Sequence, residues 1–184
     1  MFGLPRYRDE ERNFRTLDKG KKSITAFADQ TVQFGVVPTE TKKSMTGLEL
    51  LTGIKNGTLP TPPIQQVLDF RIAQLERGHT VFAGVPKYEF YNPLGSVHGG
   101  YIAALLDSCM ACAVHSTLEV GYNYATIEVK INYVRQITAD TGEVHAEGKV
   151  IHLGKRIATA EGRLLDSAGK LYAHGTTTCL IFAL

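Results

Sequence analysis

The feature that most constrains this 184-residue chain is a long apolar run from Gly99 to about Leu118. Asp107 is the single carboxylate within that run. A helix that is apolar on every side is buried on every side, so the rest of the chain has to form a cover around this one. An ionised aspartate is costly to bury unless it has a partner or a chemical purpose. The run therefore predicts a central helix that carries a functional carboxylate.

Five segments rich in strand-forming residues surround this helix in the sequence. They are Thr80–Phe90, Ala125–Arg135, Glu143–Leu153, Arg156–Leu165 and Leu171–Phe182. The second one alternates, with one face formed by Ile127, Val129, Ile131 and Tyr133 and the other by Thr126, Glu128, Lys130 and Asn132. Short joints with turn residues favour antiparallel neighbours, so the last four segments are predicted to form a meander. We expect an α+β domain in which an antiparallel sheet of five to six strands curves around one long helix.

Two short helices are expected ahead of the first strand. Residues 46–57 carry Thr46 and, three residues later, Glu49, which is the pattern of a capping box at a helix start. The segment Ile64–Leu75 has apolar residues at helical spacing. Residues 1–45 show no such periodicity, and we expect them to form an arm that is either poorly ordered or folded against a neighbouring subunit. The domain proper is expected to cover residues 46–184.

Composition limits the partners of the chain. A net charge of +2 is too weak to indicate binding to nucleic acid or to a membrane surface. No apolar run reaches transmembrane length, and the N-terminus lacks a signal-peptide core, so the cytoplasm is the expected location. One thin sheet cannot cover a helix on all sides, and a second copy joined edge to edge would complete the cover. We therefore expect a homodimer or a homotetramer.

The start of the central helix has the composition of a site for hydrolysis. Gly99 and Gly100 let a substrate approach the backbone, and the first amides of a helix lack intrahelical partners and can hold an oxyanion. Asp107 can then act as nucleophile or as general base. Two structural alternatives stay open. The glycines could serve only close packing of helix and sheet, and Asp107 could serve only to pair with a buried partner.

The spacing between Gly99 and Asp107 has a further consequence. Eight residues of α-helix rise about 12 Å, so one carbonyl carbon cannot touch both groups of the same helix. The carboxylate must therefore face the glycine of another subunit. The spacing predicts an active site that two subunits share.

The chain resembles the hotdog-fold thioesterases, in particular the phenylacetate-degradation (PaaI-like) branch. The resemblance covers roughly residues 46–182. It is based on the stretch Asn92-Pro-Leu-Gly-Ser-Val-His-Gly-Gly100, on the position of Asp107, and on the turn at residues 154–156. It implies a hotdog fold and an acyl-CoA thioesterase that needs no metal and no cofactor beyond the coenzyme A of its substrate.

The resemblance also implies roles for single residues. Asn92 matches a loop asparagine that orients the substrate carbonyl or the attacking carboxylate, although asparagine also favours such a turn for its own sake. Thr126 falls where relatives place a hydroxyl that holds the attacking water, although a threonine suits a strand anyway. His98 is expected to bind the substrate and to support the start of the helix rather than to act as a base. Gly100 is expected to line the substrate site.

Other reactive side chains have more ordinary interpretations. The basic turn of Gly154, Lys155 and Arg156 suits the phosphates of coenzyme A, or else is a solvated hairpin tip. Cys109 and Cys112 have the spacing of a redox motif but lie in the apolar helix, so we interpret them as core residues. Four further histidines show no metal-ligand spacing with one another: His115, His145, His152 and His174.

Two functional hypotheses follow. The first is an acyl-CoA thioesterase that uses Asp107 and the Gly99 amide. The second is a hotdog protein that binds or senses acyl-CoA without hydrolysing it, or a hotdog dehydratase, because a fold does not fix a function. Dehydratases of this fold pair a histidine with a carboxylate differently, so the spacing of His98 and Asp107 favours hydrolysis.

Overall fold

The computed structural model describes residues 32–184. This part of the chain contains helices α1 (Thr39–Ser44), α2 (Gly47–Lys55), α3 (Pro63–Val67) and α4 (Gly99–His115). The strands are β1 (Phe70–Glu76), β2 (His79–Gly84), β3 (Tyr122–Tyr133), β4 (Val144–Leu153), β5 (Ile157–Asp166) and β6 (Leu171–Ala183). Two short 3-10 turns lie at Tyr88–Phe90 and Ala139–Thr141. The predicted α+β class, the number of strands and the long central helix are confirmed.

The predicted start of the first short helix is also confirmed. The Thr46 hydroxyl accepts from the Glu49 N–H at 3.2 Å, and the Glu49 carboxylate accepts from the Thr46 N–H at 2.8 Å. Each side chain thus satisfies a backbone donor that a helix start would leave free. The helix ends at Lys55, next to the Asn56-Gly57 pair.

The predicted helix over Ile64–Leu75 is wrong. Helix α3 ends at Val67, and strand β1 begins at Phe70 after Asp69, whose φ of 47° leaves the helical path. Pairing with β2 decides the outcome, because Phe70 lies opposite Gly84 in an antiparallel hairpin. The apolar spacing was ambiguous, and pairing with the next strand prevailed over local propensity. The neighbouring strand is also shorter than predicted, since β2 ends at Gly84 instead of Phe90.

The sheet has the order β1-β2-β4-β5-β6-β3, and every neighbouring pair is antiparallel. The predicted meander holds for β4, β5 and β6. It is wrong for β3, which pairs with β6 at the edge of the sheet. Both sides of β4 are occupied by β2 and β5, so residues 134–143 cross to the middle of the sheet instead of forming a hairpin.

Strand β3 also departs from its predicted faces. A bulge interrupts the pairing between Thr126, opposite Cys179, and Glu128, opposite Thr178. The extra residue, Ile127, is 57% exposed. A bulge of this kind reverses the alternation, so Thr126 shares the helix-facing side with Val129 and the residues that follow it. The prediction that Thr126 faces away from Val129 is therefore wrong.

Helix α4 packs across the sheet and is buried along most of its surface. Leu105, Leu106 and Met110 have no exposed surface. Glycines 148 and 162 let the strands approach, because a Cβ at either position would collide with α4. A stripe along one side of the helix is only half-buried: Ala103, Ala104, Asp107 and Ser108. Within one chain, α4 is thus covered on every side but one.

The described part of the N-terminal region touches this domain. Phe34 forms a β-bridge with Thr61, and Val37 is buried in the core. The prediction for residues 1–31 lies outside the described residues. Among residues 32–184, no helix has the length and apolar character that crossing a lipid bilayer would require.

Candidate active site

Asp107 lies on the half-buried stripe of α4 and meets Thr126 of β3. The Thr126 hydroxyl donates to the Asp107 Oδ1 at 3.1 Å. No ion pair among the described residues includes Asp107. The carboxylate is therefore held by a neutral hydroxyl, which leaves it able to act on a substrate.

The groups next to Asp107 are thiols and a phenol that stay protonated. Burial, helped by the charge of Asp107, raises the pKa of the Cys112 thiol to about 12. Burial also raises the pKa of the Tyr124 phenol and of the Cys179 thiol. A protonated thiol is a poor nucleophile. The Asp107 carboxylate is thus the group that can react at this end of the site.

The start of α4 leaves one amide free. The His98 Nδ1 accepts from the Gly100 N–H at 2.8 Å, so His98 caps the helix. The Gly99 N–H has no hydrogen-bond partner among residues 32–184. An unpaired amide at a helix N-terminus can hold a developing oxyanion.

Gly99 is at the same time packed tightly against β3. A Cβ on Gly99 would lie 3.2 Å from the Tyr133 ring, and the Tyr133 hydroxyl donates to the Gly99 carbonyl at 3.1 Å. The glycine thus serves packing whether or not it also serves catalysis. Tyr133 is a site residue that the sequence prediction missed, since alternation placed it on the strand without indicating its contact with the helix.

Asn92 organises the loop that leads to α4. Its Oδ1 accepts from the Leu94 N–H at 2.9 Å, and its Nδ2 donates to the Ser96 hydroxyl at 3.0 Å. Its backbone N–H also donates to the Ser96 carbonyl. These bonds fix the turn that Asn92 favours, and its predicted contact with substrate stays a prediction.

The basic turn of residues 154–156 joins β4 to β5. Lys155 and Arg156 are exposed, and the Gly154 N–H donates to the Ile157 carbonyl at 2.9 Å. The Arg156 carbonyl accepts from Ile181, which lies opposite Tyr124 of β3. The turn therefore lies at the end of the sheet where β3 begins, whereas Gly99 contacts the other end of that strand.

Two clefts open beside α4. The first, here the Asp107 cleft, has a volume of about 510 Å³ and is lined by Ala103, Ala104, Asp107, Val129, Ile131 and Tyr133. The second, here the Gly99 cleft, has a volume of about 450 Å³, and the loop 94–97 and the connector 134–137 form its walls around Gly99, Ile102 and Tyr133. Both volumes suit part of an extended small molecule. Within residues 32–184, no three His, Cys, Asp or Glu side chains are placed to hold a metal ion.

One chain thus contains two separate halves of the predicted site. Asp107 and Thr126 come together near one end of β3, and Gly99, Gly100 and His98 near the other. The two halves belong to the same helix and the same edge strand.

Comparison with known proteins gives consistent matches. A family model described as "Thioesterase superfamily" matches residues 94–173, which span α4 through the start of β6. A protein of Archaeoglobus fulgidus named "Putative esterase" is 32% identical over 126 residues, which are 68% of this chain and 79% of that protein. The 1,4-dihydroxy-2-naphthoyl-CoA hydrolase of Listeria monocytogenes is 24% identical over 118 residues, which are 64% of this chain and 94% of that enzyme.

A similar solved structure is that of a "phenylacetic acid degradation-related protein" of Ralstonia eutropha JMP134. It is 28% identical with a TM-score of 0.65, and the match covers 71% of this chain and 98% of that one. The predicted resemblance to PaaI-like proteins of the hotdog fold is confirmed.

Proposed function

This chain belongs to the thioesterase superfamily and is a thioester hydrolase, and we propose that it cleaves acyl-CoA esters in an active site shared by two subunits. Asp107 of one subunit attacks the thioester carbonyl or activates the water that does so. The Gly99 amide of the other subunit stabilises the oxyanion. The similarity to a CoA hydrolase supports coenzyme A as the carrier.

The observation that carries the proposal is the placement of both half-sites on the edge strand β3. Thr126, which binds Asp107, lies in the first half of that strand, and Tyr133, which binds Gly99, is its last residue. If β3 pairs with β3 of a second copy in antiparallel fashion, the Tyr133 end of one strand runs beside the Thr126 end of the other. The two half-sites then meet twice in a symmetric homodimer.

The half-buried stripe of α4 supports the same assembly. A second copy joined at β3 would lie next to Ala103, Ala104 and Ser108, which one chain leaves half-buried. It would also pair the backbone of a 12-residue edge strand, which otherwise invites uncontrolled pairing. Two such dimers would give the expected homotetramer. The three cysteines form no disulfide with one another, which supports a reducing compartment, the cytoplasm, as the expected location.

The remaining predicted residues position the reacting groups or bind the substrate. Thr126 orients the carboxylate or the attacking water, and Asn92 and His98 hold the loop and the helix start that present the Gly99 amide. Gly100 leaves room for substrate beside that amide. The hairpin tip of Gly154, Lys155 and Arg156 lies at the Thr126 end of the strand, so it can reach the phosphates of a substrate bound at the shared site.

The test is release of thiol from a panel of acyl-CoA esters by the wild type and by Asp107→Asn. Asparagine keeps an oxygen for the Thr126 hydroxyl but cannot attack or accept a proton, so we expect at least about a hundredfold loss of kcat. Asp140→Asn, at an exposed carboxylate in a 3-10 turn, is the control and should keep full activity. Equal turnover by Asp107→Asn and the wild type would contradict the assignment. Binding of acyl-CoA without turnover by the wild type would indicate a sensor.

A further inference from the structure

We propose that Thr177 is a positioning residue, which fixes the bulge in β3 that turns Thr126 toward Asp107. This inference rests on the proposed function, because it concerns the group that holds the Asp107 carboxylate. The Thr126 hydroxyl reaches that carboxylate because the bulge places Thr126 on the helix-facing side of the sheet. The position of the extra residue along β3 therefore matters for the reaction.

The side chains of β3 by themselves favour a different register. Glu128 lies opposite Thr178, directly after the bulge. Without a bulge, the same register would place Ile127 opposite Cys179, where Thr126 now lies. That alternative would bury Ile127, which is 57% exposed, and would turn Thr126 away from the helix. Because burial of an apolar side chain is favourable, the bulged register needs a contact that holds it in place.

Thr177 of β6 supplies such a contact. Its hydroxyl donates to the Glu128 carbonyl at 2.8 Å, directly after the extra residue, and its side chain is 2% exposed. A bulge disrupts the ladder of backbone bonds, and the hydroxyl gives the next carbonyl a buried partner. Among residues 32–184, β6 is the only strand beside β3, so contacts from β6 define the bulge.

The bend of β3 explains how a side chain of β6 reaches a backbone carbonyl. A Cβ on Gly175, two residues before Thr177, would lie 2.5 Å from the Lys130 carbonyl oxygen. Strand β3 therefore bends over this face of β6, so that its carbonyls approach side-chain positions. At Gly175 the bend leaves no room for a side chain, and at Thr177 it leaves room for a hydrogen bond.

Cys179 links Thr177 to Thr126. It lies opposite Thr126 in the sheet and is fully buried. Burial raises the pKa of its thiol, and hydrogen bonding to the hydroxyls of Thr126 and Thr177 acts against that rise. The three side chains thus form one cluster that ends at the Asp107 carboxylate. A hydroxyl held in this way presents its proton in one direction, which preorganises the carboxylate.

The test compares Thr177→Val, which keeps the size of the side chain but removes the hydroxyl, with the wild type on an acyl-CoA ester that the wild type hydrolyses. We expect kcat to fall about tenfold at unchanged KM, because the carboxylate is misplaced while the substrate still binds. Thr177→Ser keeps the hydroxyl and should restore kcat.

Thr80→Val is the matched control. Thr80 is also fully buried and also donates to a backbone carbonyl, that of Cys109 at 2.7 Å. It lies on β2, which three other strands of the sheet separate from β3. Thr80→Val and Thr177→Val should both lower the urea midpoint, because each leaves a carbonyl without its hydroxyl. Only Thr177→Val should lower kcat.

A double variant separates positioning from other effects. Thr126→Val should also lower kcat about tenfold. If Thr177 acts through Thr126, the double variant Thr126→Val/Thr177→Val should be no slower than Thr126→Val alone, whereas independent losses would multiply to about a hundredfold. Should Thr177→Val fail to fold, Thr177→Cys provides a weaker donor and should have a lower kcat than Thr177→Ser.

Three outcomes would overturn the proposal. A wild-type kcat in folded Thr177→Val or Thr177→Cys would mean that the hydroxyl serves stability alone. An equal loss of kcat in Thr80→Val would mean that any loosened core slows the reaction, and a multiplied loss in the double variant would mean that Thr177 does not act through Thr126. Asp107→Asn separates this inference from the proposed function: full turnover by that variant contradicts the function, whereas an inactive Asp107→Asn beside a fully active Thr177→Val contradicts the inference alone.

Discussion

The two ends of helix α4 differ in how many of their backbone groups have hydrogen-bond partners. At the C-terminal end, the Ser116 hydroxyl donates to the Ala113 carbonyl at 2.7 Å and the Thr117 hydroxyl to the Val114 carbonyl at 2.6 Å. The Leu118 carbonyl that follows accepts from the Gly47 N–H of α2. At the N-terminal end, His98 caps the Gly100 amide, but the Gly99 amide has no partner among the described residues.

The difference separates what stability requires from what a reaction requires. Folding favours satisfying every buried polar group, and the C-terminal end does so. An amide left free beside a cleft contributes nothing to stability but can bind a substrate oxygen without prior rearrangement. Substitutions at the N-terminal end should therefore change activity, and substitutions at the C-terminal end should change stability.

The largest expected effect comes from removing the Gly99 N–H. Gly99→Pro deletes the donor at the first position of a helix, where proline is tolerated, and His98 already has the extended backbone that precedes proline. We expect kcat to fall roughly 100- to 1,000-fold, the effect of losing one oxyanion donor. Gly99→Ala is the matched control, because it adds the same Cβ against the Tyr133 ring but keeps the N–H. If both variants lose activity equally, the ring contact matters and the amide does not.

The same variant tests whether the site is shared. Co-expression of Gly99→Pro with Asp107→Asn should restore activity, because each mixed dimer contains one site with an intact carboxylate and an intact amide. Random pairing gives about a quarter of wild-type activity. If the co-expressed variants stay inactive, the carboxylate and the amide of a working site belong to the same subunit.

A smaller effect is expected at the other end of the helix. Ser116→Ala removes the acceptor of the Gly78 N–H, a bond of 2.8 Å, together with the bond to Ala113. Leaving these groups unpaired should lower the free energy of unfolding by roughly 1–3 kcal/mol. Ser108→Ala, on the half-buried stripe of the same helix, is the control and should change stability little. Urea unfolding measures both, and kcat of the folded Ser116→Ala enzyme should equal that of the wild type. A loss of kcat without a loss of stability would mean that the C-terminal end of α4 serves the reaction and not the stability of the fold.

The sequence was sufficient for the features that depend on local pattern. The apolar run identified α4, and Thr46 with Glu49 identified the start of α2, because both patterns act over a few residues. It was insufficient where pairing with another strand decides. Whether Ile64–Leu75 becomes a helix or a strand depends on β2, and the place of β3 at the edge depends on β4 being occupied on both sides.

The candidate site shows the same division. Asp107 could be predicted because a carboxylate stands out in an apolar helix. The contact between Asp107 and Thr126 could not be derived from alternation, since the bulge after Thr126 turns it toward the helix. Arg135, which lines the Gly99 cleft, lies two residues after the end of β3, in a connector whose path is fixed only when that strand pairs with β6. No local pattern marks such a residue as part of a cleft.

The smallest expected effect concerns His115, in the last turn of α4. A cation there would interact favourably with the helix dipole, yet burial beside the Tyr124 ring, 5.1 Å between ring centroids, opposes the charge. Burial prevails and lowers the pKa of His115 to about 4. The unfolded chain, with a histidine pKa near 6.5, then binds a proton that the folded chain does not bind. The contribution of His115 to the free energy of unfolding is therefore fully present above a pH of about 6.5 and is lost as the pH drops toward about 4.

This dependence should be visible in urea unfolding at pH 7.5 and 5.5. The contribution of His115 to the difference should be about 1 kcal/mol, and His115→Gln should remove it because glutamine does not titrate. Subtracting the two curves separates His115 from the other histidines, which both proteins share. A variant whose stability falls as steeply as that of the wild type would show that His115 is solvated when folded. The C-terminal end of α4 would then be as open as its N-terminal end, and the contrast between a closed end for stability and an open end for chemistry would no longer hold.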